Sequence, residues 1–142
     1  MISIEDRVRF VETDLMGVVH HANYLRWFEM GRIAYLRAAG IDLNDLMAAG
    51  IMFPIVAVEC QYKNSAKFDD EYLICTTLSE FNRAKLVFSY KVLRKKDNLL
   101  LAEGTSRNVF TNLQGRITRL NNEYYQKIDA LYRQETKEKK EC

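Results

Sequence analysis

The feature that most constrains the fold is one helix pattern, Asn23–Ala39, which is apolar around most of its circumference. Asn23 is a favourable residue at a helix N-cap, and Gly40 is favourable just beyond a C-terminus. The polar side is thin and consists of Arg26, Glu29, Arg32 and Arg37. So little polar surface predicts a helix that is packed on more than one side. Gly31 in its middle costs about 1 kcal/mol of helix propensity, which predicts a close approach to a neighbouring backbone.

Strand patterns account for most of the remaining chain. Four segments rich in Val, Leu, Tyr, Phe or Thr follow the helix: Ile55–Lys63, Glu71–Phe81, Lys85–Arg94 and Leu99–Thr111. A fifth strand is predicted at Ile2–Val11, a short helix at Leu43–Ala49 and a C-terminal helix at Asn121–Gln134. The last three strands are spaced as consecutive antiparallel hairpins. One long helix on a five-stranded sheet predicts an α+β fold. An open sheet has edges to protect, so we expect at least a dimer.

Length and charge exclude several classes of protein. A chain of 142 residues predicts one domain, here 1–134, followed by a charged, solvated tail at 135–142. A formal charge of +2 gives no general attraction to nucleic acid or anionic membranes. No apolar run approaches the ~20 residues that span a bilayer. The first residues also lack the apolar core of a signal peptide, which predicts a cytoplasmic protein. Three widely spaced cysteines, Cys60, Cys75 and Cys142, predict neither a disulfide framework nor a zinc site.

The candidate site is the segment Val11–Tyr24, VETDLMGVVHHANY, where a loop enters the long helix. Asp14 lies just before Gly17, close to the helix N-terminus, where the helix dipole favours a negative charge. It could act as a general base or a nucleophile, or it could simply cap the helix. Glu12 is interpreted as an ordinary charge at a strand end.

Both histidines of the chain lie in the same segment. His20 and His21 are adjacent, so we expect their side chains to diverge, which disfavours a shared metal. One of them could donate a hydrogen bond to a substrate oxygen, although both could be plain loop residues. The backbone N–H groups of Ala22–Leu25 are expected to be free donors suited to an oxyanion. Glu29 is a rival acid, unless it pairs with an arginine at helical spacing.

The segment Arg9–Glu29, RFVETDLMGVVHHANYLRWFE, resembles the hotdog-fold thioesterases of the 4-hydroxybenzoyl-CoA thioesterase family, in particular their bacterial YbgC-type branch. The family motif is an aspartate turn, T-D-x-x-G, then V-V, then H-x-x-Y entering the central helix. The matching residues here are Thr13, Asp14, Gly17, Val18, Val19, His21 and Tyr24. Two further segments, Tyr62–Asp70 and Leu101–Arg107, extend the resemblance through about Leu131. Family members usually carry Pro-Ala where this chain has Ser65-Ala66, and often a tyrosine at the position of His20.

The resemblance implies a hotdog fold in which a five-stranded antiparallel sheet wraps one central helix. It also implies an acyl-CoA substrate, hydrolysis to a carboxylic acid and free CoA without a cofactor, and a site at the interface of a homodimer or homotetramer. Asp14 is then the catalytic carboxylate, and His21 lies beside the thioester carbonyl at the helix N-terminus. The residues expected to bind substrate are Gly17, Val18, Ala22 and Tyr24, together with Lys67, Arg83 and Lys85 at the CoA phosphates.

Two other functions remain open from the sequence. One is a hotdog hydratase or dehydratase that uses His21 with a carboxylate partner. The other is a non-catalytic module that binds acyl-CoA. Glu29 remains a rival to Asp14 because another hotdog branch carries its acid on the helix. The acyl group, the choice between CoA and acyl carrier protein, and the role of Asp14 as nucleophile or base are also open.

Overall fold

A computed structural model describes the backbone of residues 1–141 and the side chains of residues 1–138. The helices and strands, in chain order, are β1 (Ile2–Arg7), α1 (Asn23–Ala38), α2 (Leu43–Ala48), β2 (Ile55–Tyr62), β3 (Glu71–Phe81), β4 (Lys85–Arg94), β5 (Leu100–Val109) and α3 (Asn122–Glu141). The strands form one sheet in the order β1–β3–β4–β5–β2, and every neighbouring pair is antiparallel. The two predicted hairpins, β3–β4 and β4–β5, are confirmed.

Aromatic stacking holds α1 on the sheet. The Trp27 ring stacks on Tyr72 of β3 at 4.1 Å between ring centroids, and Phe28 stacks on Tyr90 of β4 at 4.3 Å. Phe28 is fully buried, and burial of such a side chain contributes about 1.5–3 kcal/mol. Helix α1 packs on β1, β3 and β4, and the Phe28 ring also lies against Gly104 of β5.

The predicted close approach at Gly31 is confirmed, although the neighbour is a side chain and not a backbone. A Cβ atom at Gly31 would overlap Oγ1 of Thr76 and press on Ile74, both on β3. Glycine therefore lets α1 lie closer to the sheet than any other residue would. The loss of helix propensity at this position is offset by tighter packing along α1.

Burial along α1 differs from the prediction in two ways. Its buried residues form one stripe, and Leu25 on another flank is 38% exposed, so a single chain does not bury the helix on several sides. Arg32, predicted on the polar side, is instead only 7% exposed. Its Nη1 donates a hydrogen bond to the Tyr90 hydroxyl at 3.2 Å. The long aliphatic stem of arginine allows this burial while the head reaches a polar partner.

Strand β2 is the least covered element of the sheet. Within residues 1–141 it pairs only with β5 and leaves its other edge open, and nearly all of its residues are exposed. Val58 and Tyr62 pair with the buried residues Ser106 and Ala102, so they project from the face that carries α1. An apolar edge strand with one open side is a surface that pairs readily with another strand.

The two chain ends differ from the prediction. Strand β1 stops at Arg7, because the backbone N–H of Arg9 donates to the Glu12 carboxylate and closes a 3-10 turn at Phe10–Glu12. The C-terminal helix continues to Glu141, past the predicted end at Gln134. Glu135 is buried and accepts a hydrogen bond from the Tyr35 hydroxyl, so the expectation of a wholly solvated tail is wrong. The domain boundary at residue 134 stays a prediction, and Cys142 lies outside the described residues.

Candidate active site

Asp14 lies in a tight turn that its own hydrogen bonds define. Its backbone N–H donates to the Val18 carbonyl at 2.9 Å, and its Oδ1 accepts the N–H of Met16 at 2.8 Å. Gly17 closes the turn with a φ of 77°, a conformation that glycine adopts without strain. One carboxylate oxygen is therefore held by the turn, and the T-D-x-x-G spacing follows from this geometry.

Four of the predicted site residues line one cleft of about 230 Å³: Asp14, Val18, His21 and Tyr24. Tyr62 at the end of β2 and the three residues after it complete the opposite wall. Ser65, the position at which the chain departs from the usual Pro-Ala pair, is one of these wall residues. The cleft is smaller than a typical pocket for a whole ligand, so in one chain it can enclose only the reacting end of a substrate.

The N-terminus of α1 contributes fewer free donors than predicted. The N–H groups of Asn23, Tyr24 and Leu25 donate to the carbonyls of His20, His21 and Ala22 in a tight first turn. The Ala22 N–H donates to Nδ1 of His20 at 3.2 Å. The expectation of free donors over Ala22–Leu25 is therefore wrong. Among the N–H groups of residues 21–25 at this helix entry, that of His21 has no acceptor within residues 1–138.

Asn23 does not cap the helix as predicted. The N-cap position is Ala22, and no side chain caps the first turn there. The Asn23 side chain instead donates through Nδ2 to the backbone carbonyl of Glu12 at 2.8 Å. Asn23, which was predicted to cap the helix, thus connects the preceding loop to the helix.

The two histidine rings lie together. Their centroids are 4.3 Å apart at 32°, so the predicted divergence of His20 and His21 is wrong. The tight turn into α1 rotates the two residues onto one side, whereas an extended backbone would separate them. Both residues are exposed, and His21 is the one that lines the cleft.

Two tyrosines frame the His21 side of the cleft. The Tyr62 hydroxyl donates to the His21 carbonyl at 3.0 Å, and its ring lies edge-on to that of Tyr24 at 5.4 Å. Burial raises the pKa of the Tyr24 hydroxyl to about 12, so it stays neutral at ordinary pH. Tyr62 is not among the site residues that the sequence predicts. Its position at the start of the second family-like segment is the feature that could have indicated it.

The remaining predicted residues are spread over the chain. Gly17 forms the turn and Ala22 the helix entry, while Lys67 lies in the loop that leads from the cleft to β3. Arg83 and Lys85 lie at the β3–β4 turn, at the opposite end of β3 from that loop. Arg83 stacks over Tyr125 at 4.2 Å and Lys85 pairs with Glu80 at 3.1 Å. One chain therefore does not bring these two cations to the cleft.

The rival acid Glu29 is exposed on α1 and is not among the residues that line the cleft. In the described part of the chain it forms no ion pair with an arginine, so the helical pairing considered for it is not observed. Among the same residues, no cluster of His, Cys, Asp or Glu could hold a metal ion. None of the helices within residues 1–141 has the length and apolar character that crossing a membrane requires.

A five-stranded antiparallel sheet around a central helix is the architecture of a hotdog protein, and in this chain an acidic turn lies just before that helix. The chain belongs to the Thioesterase-like superfamily, whose family pattern matches residues 8–135. It is 32% identical over 102 residues to the putative acyl-CoA thioesterase YneP of Bacillus subtilis, covering 72% of this chain and 74% of that one. It is 33% identical over 100 residues to the acyl-CoA thioesterase YbgC of Haemophilus influenzae, covering 70% and 72%.

The likeness extends to solved structures. A hypothetical protein from Thermus thermophilus matches with a TM-score of 0.85 and 32% identity, over 91% of this chain and 98% of that chain. The hotdog fold and the family expected from the Arg9–Glu29 motif are therefore both confirmed.

Proposed function

We propose that this protein hydrolyses acyl-CoA thioesters to a carboxylic acid and free CoA. The observation that carries the proposal is the shared cleft, since Asp14 and His21, which precedes α1, line the same small volume. A carboxylate that attacks or activates water, with an oxyanion donor on the other side of the same carbonyl, is one arrangement that hydrolyses a thioester. The names of the Bacillus and Haemophilus relatives support acyl-CoA as the substrate.

In this proposal Asp14 has one of two roles. As a nucleophile it attacks the thioester carbonyl, the C–S bond breaks to release the CoA thiolate, and water hydrolyses the resulting acyl-aspartate anhydride to the carboxylic acid. As a base it takes a proton from a water that attacks the carbonyl, and the C–S bond breaks to give the carboxylic acid and the CoA thiolate, which recovers that proton. The His21 N–H, which has no acceptor in the described residues, donates to the developing oxyanion. The His21 ring orients the thioester or the water, and Tyr24 shapes the pocket as a neutral hydroxyl. Gly17, Val18 and Ala22 place the backbone around the carbonyl.

We also propose that two copies pair along β2, and that such dimers can associate further into a tetramer. The open edge and the exposed apolar side chains of β2 support this arrangement. A second copy there would deepen the cleft beside Tyr62. It could also bring basic side chains such as Lys67, Arg83 or Lys85 towards the CoA phosphates. We expect the protein to act in the cytoplasm, without a cofactor, nucleic acid or stable membrane contact.

The test is release of free thiol from a panel of aromatic, short and long acyl-CoAs. Asp14→Asn should lower kcat at least as much as His21→Ala, and loss of one oxyanion donor typically costs ~10²–10³ in rate. Asp42→Asn is the matched control, because Asp42 accepts an N–H two residues ahead at the start of α2, as Asp14 does in its turn. Full activity of Asp14→Asn, or equal losses in the two Asn variants, would refute the assignment.

Parallel assays separate the remaining functions. Acyl-carrier-protein thioesters in the same panel decide the carrier. Absorbance of an enoyl thioester reveals hydration, which thiol release would miss. Unchanged acyl-CoA after tight binding would indicate a binding module in place of an enzyme.

A further inference from the structure

Glu12 accepts four hydrogen bonds from different parts of the site. Its carboxylate accepts the Arg9 N–H through Oε1 and the Trp27 indole N–H through Oε2, each at 2.8 Å. Its carbonyl accepts the His20 N–H and the Asn23 side chain, each also at 2.8 Å. A charge at a strand end, as predicted for this residue, does not collect so many partners.

One end of this network is fixed in the core. Trp27 is 1% exposed and stacks on Tyr72, so its indole cannot shift without disturbing the packing of α1 on the sheet. A hydrogen bond from a fixed donor to a carboxylate is stronger than one between neutral groups. Glu12 is therefore anchored to the rigid body of the protein, although it belongs to a loop.

The other end of the network closes the loop that carries Asp14. The Glu12 carbonyl and the His20 N–H join the two ends of the segment, and Thr13 bridges to Val19 just inside them. Asp14 is two residues from one side of this joint, and His21 is the next residue after the other side. The position of the carboxylate relative to the His21 N–H therefore depends on Glu12.

We propose that Glu12 is a positioning residue that holds Asp14 and the His21 N–H in register by anchoring their loop to Trp27. The proposal rests on the proposed function, in which those two groups act on one carbonyl. Glu12 does not line the cleft and acts only through its partners. A displacement of about 1 Å in a reacting group can cost about 100-fold in rate, so a loose loop would lower kcat more than it changes KM.

The experiment compares Glu12→Ala, Glu12→Gln, Trp27→Phe and the double variant Glu12→Ala/Trp27→Phe in the thiol-release assay. Glu12→Ala should lower kcat by about 10- to 100-fold with KM within a few-fold of wild type. Glu12→Gln keeps an oxygen acceptor and should recover most of the loss. Trp27→Phe keeps a ring but removes the indole N–H donor. As a single variant it should lower kcat, and in the double variant it should add little to the loss caused by Glu12→Ala.

A stability control separates positioning from general loosening. Leu46→Ala truncates a buried side chain in α2, and Leu46 is not a cleft residue. It should lower the melting temperature at least as much as Glu12→Ala while leaving kcat unchanged. A Glu12→Ala enzyme with wild-type kcat would overturn the proposal. A second result would also overturn it: equal losses of kcat in Glu12→Ala and Glu12→Gln, with one limb of the pH profile of kcat missing in both. That result would assign proton transfer to Glu12.

Amide hydrogen exchange tests the same proposal without turnover. The His20 and Gly17 N–H groups are hydrogen-bonded in the loop, and their exchange should accelerate in Glu12→Ala but not in Leu46→Ala. If no acyl-CoA is hydrolysed by the wild type, the proposed function fails, and this measurement still decides the positioning. Unchanged exchange at both amides would overturn it.

Discussion

The Arg32 guanidinium donates to the Tyr90 hydroxyl at 3.2 Å, in the layer between α1 and the sheet. Tyr90 in turn shares a hydrogen bond with Ser106. Among the ion pairs of the described side chains, Arg32 has no acidic partner. A buried cation with neutral partners carries a desolvation cost of several kcal/mol that is only partly recovered.

Two substitutions at this pair should therefore have different effects on stability. Arg32→Met fills the same space without a charge and should keep the free energy of unfolding within about 1 kcal/mol of wild type, or raise it. Tyr90→Phe leaves Arg32 and Ser106 without their hydrogen-bond partner and should lower the free energy of unfolding by about 1–3 kcal/mol. Urea unfolding measures both, with the exposed Arg37→Met as control. A larger loss in Arg32→Met than in Tyr90→Phe would contradict this account.

Gly31→Ala should destabilise the protein although alanine favours helices. The new methyl group would overlap the Thr76 hydroxyl, and overpacking of this kind costs about 1–3 kcal/mol, more than the ~1 kcal/mol gained in propensity. Thr76→Ala removes the obstructing oxygen, which is buried and has no hydrogen-bond partner among the described side chains. The double variant should therefore be more stable than Gly31→Ala alone. Additive losses in thermal unfolding would show that the Thr76 side chain is not the cause.

Stability should fall at alkaline pH because buried tyrosines must ionise on unfolding. Burial raises the pKa of Tyr24 from 10.0 to about 12, and burial also raises the pKa of Tyr72 and Tyr35. Above pH 10 the unfolded chain holds fewer protons than the folded one, so the free energy of unfolding decreases as pH rises through this window. Below pH 10 these tyrosines are protonated in both states, so their contribution to the free energy of unfolding is constant.

Tyr24→Phe tests the contribution of one such group. Its unfolding free energy should fall less steeply between pH 10 and pH 12 than that of wild type, by up to about 1.4 kcal/mol per pH unit. Denaturant unfolding at several pH values measures the slope. Parallel curves for the two proteins would mean that Tyr24 titrates normally in the folded state.

Pairing along β2 should be sensitive to charge on one face of that strand. Val58→Glu places a carboxylate on the apolar face, which should shift the protein towards monomer and reduce activity together. Gln61→Glu adds the same charge on the opposite face and should leave the β2 contact intact. Light scattering on a sizing column gives the mass of each. A wild-type mass for Val58→Glu would exclude this edge as the interface.

Much of the fold could be predicted from local patterns. The ranges of β3 and β4 match the predicted ones, since buried residues alternate with partly buried ones along most of each strand and a turn follows each. The predicted central helix, Asn23–Ala39, ends one residue after the observed helix α1. Prediction failed where a side-chain hydrogen bond sets the end of an element. Examples are the Glu12 carboxylate, which accepts the nearby Arg9 N–H and ends β1 early, and the Glu135 carboxylate, which accepts from the distant Tyr35 hydroxyl and docks the last turns of α3.

The site could be predicted only in part for the same reason. Motif spacing indicated Asp14, Gly17, His21 and Tyr24, because a tight turn and a helix start are local structures. Spacing cannot show that Tyr62, on a strand far along the chain, donates to the His21 carbonyl. Nor can it show that the stem of Arg32 turns inward, because helical position alone placed it on the polar face.

The exposure of β2 also affects how stably Tyr62 is held in the wall of the cleft. Nearly every residue of the strand is solvated in a single chain, so little apolar burial opposes its detachment from β5. Segments of that kind open at a small fraction of the free energy of global unfolding. The wall that contains Tyr62 is thus the part of the cleft that opens most easily. Its opening would also break the hydrogen bond from the Tyr62 hydroxyl to the His21 carbonyl. In the proposed dimer a second copy would cover β2 and oppose this opening, so the Tyr62 wall should become more stable as protein concentration rises.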